Sequence, residues 1–225
     1  MREATYDILI PTAGPIKDIF NCLTSVKEHS EDYRVIWLSN GAPYELKCAV
    51  KMALQGMPHL ALEVEKNLGS AKGHNILLAY STAPYIVILN DDVEVVPKWL
   101  PNIQRLLKIE KVGMAAPCVD NGRHRQSAKD EGAPKNGELL DVPIIATYCA
   151  MLSRDCLNQV GYFSEEYYSG WDIDYSHRVR KRGFRLAIDL RTVCKHRWHA
   201  TVDTFSSSER TVGYNNDMAL LRKYR

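Results

Sequence analysis

The sequence predicts an α/β domain in which helices flank a mostly parallel central sheet. Short apolar runs alternate with helical patterns along most of the chain, the order that builds strand–helix–strand units. The most apolar run, Tyr85 to Leu89, ends abruptly in Asn90-Asp91-Asp92. No internal repeat or low-complexity tract interrupts the pattern.

Tyr6 to Pro11 reads as the first strand, and Gly14-Pro15 then opens a helix whose Ile16, Ile19, Phe20 and Leu23 recur at helical spacing. Val35 to Leu38 is the second strand. Pro43 starts a helix with Leu46, Ala49, Val50, Ala53 and Leu54 on one face, and Leu60 to Val64 follows as a strand. Gly73 to Ser81 is expected to be helical. Tyr85 to Leu89 is rich in β-branched residues and wholly apolar, which marks a central strand buried on both faces.

Pro97 begins a helix reaching about Lys108, and Val112 to Pro117 is a strand. Val119 to Leu139 is polar and rich in Gly, Lys and Asp, as expected of a long functional loop. Val142 to Leu152 returns to strand character. A helix over 173–182, a strand over 186–194 and a last helix near 216–223 complete the pattern. One domain over residues 1–205 is expected, with 206–225 as a tail or helix packed on it.

The 225 residues are 45% hydrophobic and 25% charged, with a net charge of +2, ordinary values for a globular chain. No apolar stretch reaches the roughly 18 residues that span a bilayer, and no leader pattern opens the sequence, so a soluble cytoplasmic protein is expected. Cys22, Cys48, Cys118, Cys149, Cys156 and Cys194 are too scattered for a zinc or dithiol motif and read as reduced thiols. The basic excess demands no nucleic-acid partner, although Arg178, Arg180, Lys181, Arg182 and Arg185 are concentrated.

In an open α/β sheet, ligands bind beyond the carboxyl ends of the strands. Three turns lie at such ends: Pro11-Thr12-Ala13-Gly14, Ser39-Asn40-Gly41-Ala42 and Asn90-Asp91-Asp92. Two adjacent carboxylates repel unless a cation joins them, and Mg²⁺ or Mn²⁺ prefers carboxylate oxygen shared with substrate phosphates. Asn and Asp also favour turns, and from these residues alone the two readings weigh about equally. Asp174 and Arg178, four apart, read as a structural ion pair. Asp172 reads either as a helix N-cap or as a general base. His196 and His199 follow the last strand and are candidate metal ligands.

Taken in order, these segments resemble the family 2 glycosyltransferases, inverting enzymes of the GT-A fold, over roughly residues 6 to 200. Ile8-Leu9-Ile10-Pro11-Thr12 resembles the opening strand and its nucleotide-contacting turn. The segment from Asn67 to Asn75 is similar to the family's asparagine- and glycine-rich donor-site segment. Ile88 to Val95 resembles its acidic metal motif, and Gly161 to Arg185 the segment that supplies the catalytic base.

The resemblance implies a nucleotide-diphosphate-sugar donor, a divalent cofactor (Mn²⁺ or Mg²⁺) and transfer to an acceptor hydroxyl. It assigns the base to Asp172, the metal to Asp92 with His196 or His199, and the ribose or donor sugar to Asp91. Donor contacts fall to Pro11, Thr12, Gly14, Ser39, Asn40, Gly41, Asn67, Lys72 and Asn75. The chain departs from the pattern at Ser39, where the family usually has aspartate, and at Trp171, where it has glutamate. Trp171 would then give the acceptor pocket an apolar or stacking wall.

The acceptor stays open among a glycan, a lipid-linked sugar, a protein, a small molecule and a modified nucleic-acid base. A nucleotidyltransferase would need a glycine-rich, arginine-containing loop after the first strand, which Pro11 to Pro15 does not supply. A non-catalytic nucleotide-sugar-binding module remains as the third reading, opposed by Asp91, Asp92 and Asp172. No Gly-x-Gly-x-x-Gly follows the first strand, which disfavours a dehydrogenase.

Overall fold

Alternation of apolar side chains along the strands builds two cores, one on each face of a single sheet. In the computed structural model, residues 4–120, 139–197 and 207–224 are described, with side chains of the last segment from residue 211. On strand β1 (Tyr6–Thr12), Ile8 and Ile10 face one core while Leu9 faces the other. On β4 (Tyr85–Leu89), Val87 and Leu89 oppose Ile86 and Ile88 in the same way. A strand with both faces covered cannot show polar alternation, so its run is apolar throughout.

The first core is closed by α1 (Ile16–His29), α2 (Tyr44–Ala53) and α4 (Trp99–Leu107), through Ile19, Leu23, Val50, Trp99 and Ile103. The second is closed by α3 (Ser70–Ala79), α5 (Arg154–Val160) and α6 (Trp171–Lys181), through Leu77, Leu157, Tyr175 and Val179. Each large side chain fully removed from water contributes roughly 1.5–3 kcal/mol.

The remaining strands are β2 (Tyr33–Asn40), β3 (His59–Val64), β5 (Val93–Glu94), β6 (Val112–Val119), β7 (Leu139–Asp141), β8 (Cys149–Ser153) and β9 (Arg185–His196). Their order is β3-β2-β1-β4-β8-β6-β9, with β5 and β7 both paired to β9. The β3-β2-β1-β4 half is parallel; β8 runs antiparallel between β4 and β6. The carboxyl ends of β1, β2 and β4 therefore share one edge. A last helix, α7 (Ser207–Leu220), runs into a 3₁₀ turn over Leu221–Tyr224.

Several elements differ from their sequence reading. The strand expected over Val142 to Leu152 is confined to Cys149–Ser153. Pro143 has no N–H for a ladder, and Ile145 donates its N–H to Ser176 Oγ (3.1 Å), so the apolar residues before Cys149 are buried without being a strand. Helix α5 went unread, although Ser153 caps it by accepting the Cys156 N–H (3.1 Å). Helix α3 starts at Ser70 rather than Gly73, and α7 starts at Ser207 rather than near Asn216. Ile16 and Phe20 are exposed, while Cys22 and Val26 take the buried stripe of α1. The long loop expected over Asn121 to Gly137 lies outside the described residues. Among the described residues, no helix is long and apolar enough to cross a membrane.

One buried carboxylate fastens the amino ends of the parallel strands. Asp7 accepts Arg34 Nε (2.9 Å) and Nη2 (3.1 Å), Ser81 Oγ (2.9 Å), and the N–H groups of Thr82 (2.7 Å) and Ala83 (2.9 Å). Burial raises its pKa, but Arg34 and these N–H groups outweigh burial and hold the carboxyl below its usual range. A depressed folded pKa stabilises above the ordinary aspartate range and loses that contribution as acidification protonates the group. Asp7→Ala should therefore cost about 3 kcal/mol in a urea melt at neutral pH. The gap between wild type and variant should narrow in acid; a constant gap would contradict the linkage.

Candidate active site

The turn after β2 is shaped by a close backbone approach. Gly41 has φ +76°, and a Cβ there would lie 2.3 Å from the Asn67 nitrogen, so only glycine admits the 66–67 segment. Asn40 completes the junction: its Nδ2 donates to Asn67 Oδ1 and to the Gly69 carbonyl (both 3.2 Å), and its Oδ1 accepts the Leu68 N–H (2.9 Å). Thr12, paired in register with Ser39, accepts Trp37 Nε1 (3.0 Å). Ser39 is fully buried, and its hydroxyl meets no protein partner.

At the end of β4, the Asn90 N–H bonds to the Tyr148 carbonyl (2.8 Å) and aims the acidic pair into the cleft edge. The Gly14 N–H lies close enough to Asp91 to favour its ionised form, which brings this turn beside the one after β1, while Asp91 Oδ2 makes no hydrogen bond. Its pKa is pushed up to about 7, by burial first and the neighbouring Asp92 charge second. Asp92 Oδ1 is likewise buried without a hydrogen bond and lies 3.4 Å from His196 Nε2. His196 is brought there by the β5–β9 ladder, in which it pairs with Val93, and its ring stacks on Tyr148 at 4.5 Å.

These two donors fit a hard divalent ion. Two ligands each roughly 2.1 Å from one ion lie about 3.0–3.4 Å apart, and the observed separation falls at the upper end of that span. Among the described residues, no group of three His, Cys, Asp or Glu forms a closed metal cage. Such an ion would therefore complete its coordination with water or substrate oxygens, as Mg²⁺ commonly does. Arg197 closes the edge by giving its N–H to the Asp92 carbonyl (3.0 Å) and Nη1 to Asp18 Oδ1 (2.6 Å).

Asp172 stands in the first turn of α6 and accepts the Ile173 N–H (2.8 Å), and the backbone N–H of Thr147 lies close enough to favour its ionised form. Burial is the largest influence and pushes its pKa up to about 7, against those N–H donors. Thr147 and Tyr148 are consecutive, with Cα atoms about 3.8 Å apart. The 147–148 segment thus lies between Asp172, near the Thr147 N–H, and the acidic turn, which Tyr148 meets through Asn90 and His196.

Not every expected site residue lies free in that cleft. The side-chain oxygen of Asn75 accepts the Phe163 N–H, and its amide donates to the Phe163 carbonyl and Glu165 Oε1 (all 2.9 Å). It fastens a loop instead of offering polar atoms to a ligand. Trp171 is only 5% exposed and packs on Phe163 (4.6 Å) and His74 (5.5 Å), so it is core and not an acceptor wall. Lys72 is half exposed, 4.0 Å from Glu165. His199 lies outside the described residues. Of the basic cluster, Arg178 is engaged by Asp174 and two carbonyls, and Arg185 by Asp141.

A family model described as glycosyl transferase family 2 matches residues 7–161. Among solved structures, the mannosyltransferase PcManGT from Pyrobaculum calidifontis, in complex with GDP-Man and Mn²⁺, aligns at TM-score 0.71 and 18% identity over 87% of this chain and 57% of its own. GalNAc-T7 with UDP, GalNAc and Mn²⁺ aligns at 0.73 and 11% identity, over 89% and 45%. S. aureus TarS 1–349 in complex with UDP-GlcNAc aligns at 0.68 and 14% identity, over 90% and 61%. The chain therefore spans about half of the length of these structures, and at such identities the likeness is one of fold, GT-A. No curated protein matches.

The Gly41 approach is directly testable. Gly41→Ala should cost about 1–3 kcal/mol, because it adds both a left-handed strain and a clash. Equilibrium unfolding of the variant, compared with an exposed control such as Gly183→Ala at φ +86°, where a Cβ would meet nothing within 4 Å, would isolate the clash. Equal losses in the two variants would remove the close approach as its cause.

Proposed function

The chain belongs to glycosyl transferase family 2, and from that premise we propose that it transfers a sugar, with inversion, from a nucleotide-diphosphate donor to an acceptor hydroxyl. The observation that supports the reading is the segment Thr147–Tyr148: the Thr147 N–H lies near the Asp172 carboxylate, while Tyr148 holds Asn90 by its carbonyl and stacks on His196 beside Asp92. Structures of the same fold contain GDP-Man or UDP with Mn²⁺, which supports a nucleotide sugar and a divalent ion here.

In this reading the donor lies along the turns after β1, β2 and β4, against Pro11, Thr12, Gly14, Ser39, Asn40, Gly41, Asn67 and Asp91. The buried Ser39 hydroxyl is a polar atom awaiting a ligand partner on that wall. Asp92 and His196 would hold Mn²⁺ or Mg²⁺, with His199 as a further candidate. When bound, the ion supplies positive charge that stabilises a diphosphate leaving group.

Asp172 accepts the proton of the acceptor hydroxyl. The freed oxygen forms a bond to the anomeric carbon as that carbon's bond to the diphosphate oxygen breaks, and the nucleoside diphosphate departs with the electron pair. A carboxyl whose pKa is about 7 is a better base near neutrality than an ordinary aspartate, because it holds the proton more strongly while remaining about half ionised. Arg178 and Arg185 are engaged by protein groups while Arg180, Lys181 and Arg182 are exposed, so the cluster does not choose the acceptor class.

Asp172→Asn should lower turnover by about 10²–10⁴-fold while leaving donor affinity in place. Near-normal turnover, read as nucleoside-diphosphate release, would remove Asp172 from the role. For wild type, the rate should rise with pH and reach half its plateau near 7, because the raised pKa keeps the base protonated in acid. A limb centred near 4 would exclude the buried base.

The metal assignment has its own test. Donor with Mn²⁺ at 100 times its dissociation constant should stabilise the wild type by about 2.7 kcal/mol, and Asp92→Ala should lose most of that increment. Thermal melting of GDP-mannose and UDP-GlcNAc mixtures, with Mn²⁺ and with EDTA, would read it; equal shifts in both would oppose metal use.

A further inference from the structure

The loop that leads into Asp172 is held from outside the segment that the family model matches. Asp217, on α7, is 2% exposed and turns its carboxylate into the 168–170 backbone. Its Oδ1 accepts the Tyr168 N–H (2.7 Å); its Oδ2 accepts the N–H groups of Ser169 (2.7 Å) and Gly170 (2.8 Å) and the Ser169 hydroxyl (3.0 Å). Three consecutive N–H groups converging on one anion form a nest, a geometry that fixes the backbone tightly. Gly170 is also the residue before α6, and a Cβ there would come within 3.1 Å of Leu221 Cδ1.

A second attachment lies two residues beyond Asp172. Asp174, 1% exposed, accepts the Tyr224 hydroxyl (2.6 Å) and pairs with Lys223 Nζ (3.3 Å). The Tyr224 ring stacks on His177 at 4.3 Å, nearly parallel. The first turn of α6 is thus gripped on its approach by Asp217 and on its far side by the 3₁₀ turn. Between the grips stands Asp172, which accepts the Ile173 N–H (2.8 Å).

We infer that Asp217 is a positioning residue for Asp172: the C-terminal helix fixes the 168–170 backbone, and through it sets where the base carboxylate meets the acceptor hydroxyl. The inference rests on the role proposed above for Asp172. It makes α7 and the turn after it part of the working site, though they touch neither donor turn nor acidic pair in the described contacts. A nest that served stability alone would have no reason to act on turnover separately from donor binding.

The test compares Asp217→Asn with Asp172→Asn in the full chain, with GDP-mannose and UDP-GlcNAc as probes and Mn²⁺ present. Asparagine keeps the volume but replaces one accepting oxygen with an N–H₂ group that faces the N–H donors. The Asp217→Asn variant should slow nucleoside-diphosphate release by about 10–10²-fold, the scale of an ångström of misplacement. Binding of GDP or UDP with Mn²⁺, by calorimetry, should stay within about twofold, since the donor turns are not held by α7.

Unchanged release with only a lower melting temperature would overturn the inference, as would loss of nucleotide binding in step with release. If Asp172→Asn releases product normally, the base reading fails whatever Asp217 does; if that variant is inactive and Asp217→Asn is normal, only the present inference fails. Should Asp217→Asn not fold, hydrogen exchange on the wild type decides: the Tyr168, Ser169 and Gly170 amides should be protected, and rapid exchange there would overturn it.

Discussion

Two neighbouring carboxylates, largely withdrawn from water at the end of the central strand, set the terms for everything around them. Asp91 and Asp92 each keep a buried oxygen without a hydrogen bond, that of Asp92 facing the His196 ring at 3.4 Å. Water would solvate such a pair cheaply; a protein interior does not, and unmet buried acceptors each cost about 1–3 kcal/mol. The turn survives because its backbone is held from two sides, by the Tyr148 carbonyl on Asn90 and by Arg197 on the Asp92 carbonyl, with the Gly14 N–H close to Asp91. The scaffold therefore maintains a negative, underpartnered edge that favours a cation, and the strand order places the turns after β1 and β2 on the same edge of the sheet.

The two halves of the sheet divide the work. The parallel half presents backbone turns at one edge, shaped by Gly41, Asn40 and Asn67. The mixed half contributes β8, whose antiparallel run brings its entry residues, Thr147 and Tyr148, to the same edge as the exit of β4. A parallel strand in that position would have brought its exit there instead. The reversal of β8 thus brings Tyr148 to the acidic turn, while β9, running in the same direction as β4, delivers His196 there from its carboxyl end.

Much of this was legible in the sequence, for identifiable reasons. Tyr6 to Pro11 and Tyr85 to Leu89 announce themselves because burial on both faces leaves no polar position, and the polar turns that follow stand out against them. Asp92 and His196 were readable as a pair only through family resemblance, since 104 positions of sequence separate residues that the β5–β9 ladder brings to 3.4 Å. Periodicity misread 142–148, where side chains are buried against other elements without strand pairing. Trp171 and Asn75 stand out only through the resemblance: an indole or an amide next to a motif looks like a ligand contact, and the packing of Phe163 against both is not written in the sequence. Asp217 carried no local signal at all. Its partners are 47 to 49 residues away and are backbone amides, which leave no trace in residue type.

The seam between Thr147 and Tyr148 has an evolutionary side. The turns proposed to face the donor lie early in the chain, whereas the helices that carry and support Asp172 come later, and several contacts between the two stretches end on main-chain groups, as where the Asn75 amide meets the Phe163 N–H and carbonyl. A contact that ends on a backbone amide or carbonyl tolerates a change of side chain on that partner. Lineages could then exchange or remodel the later stretch, and with it the alcohol that is glycosylated, while inheriting the nucleotide-handling stretch unaltered.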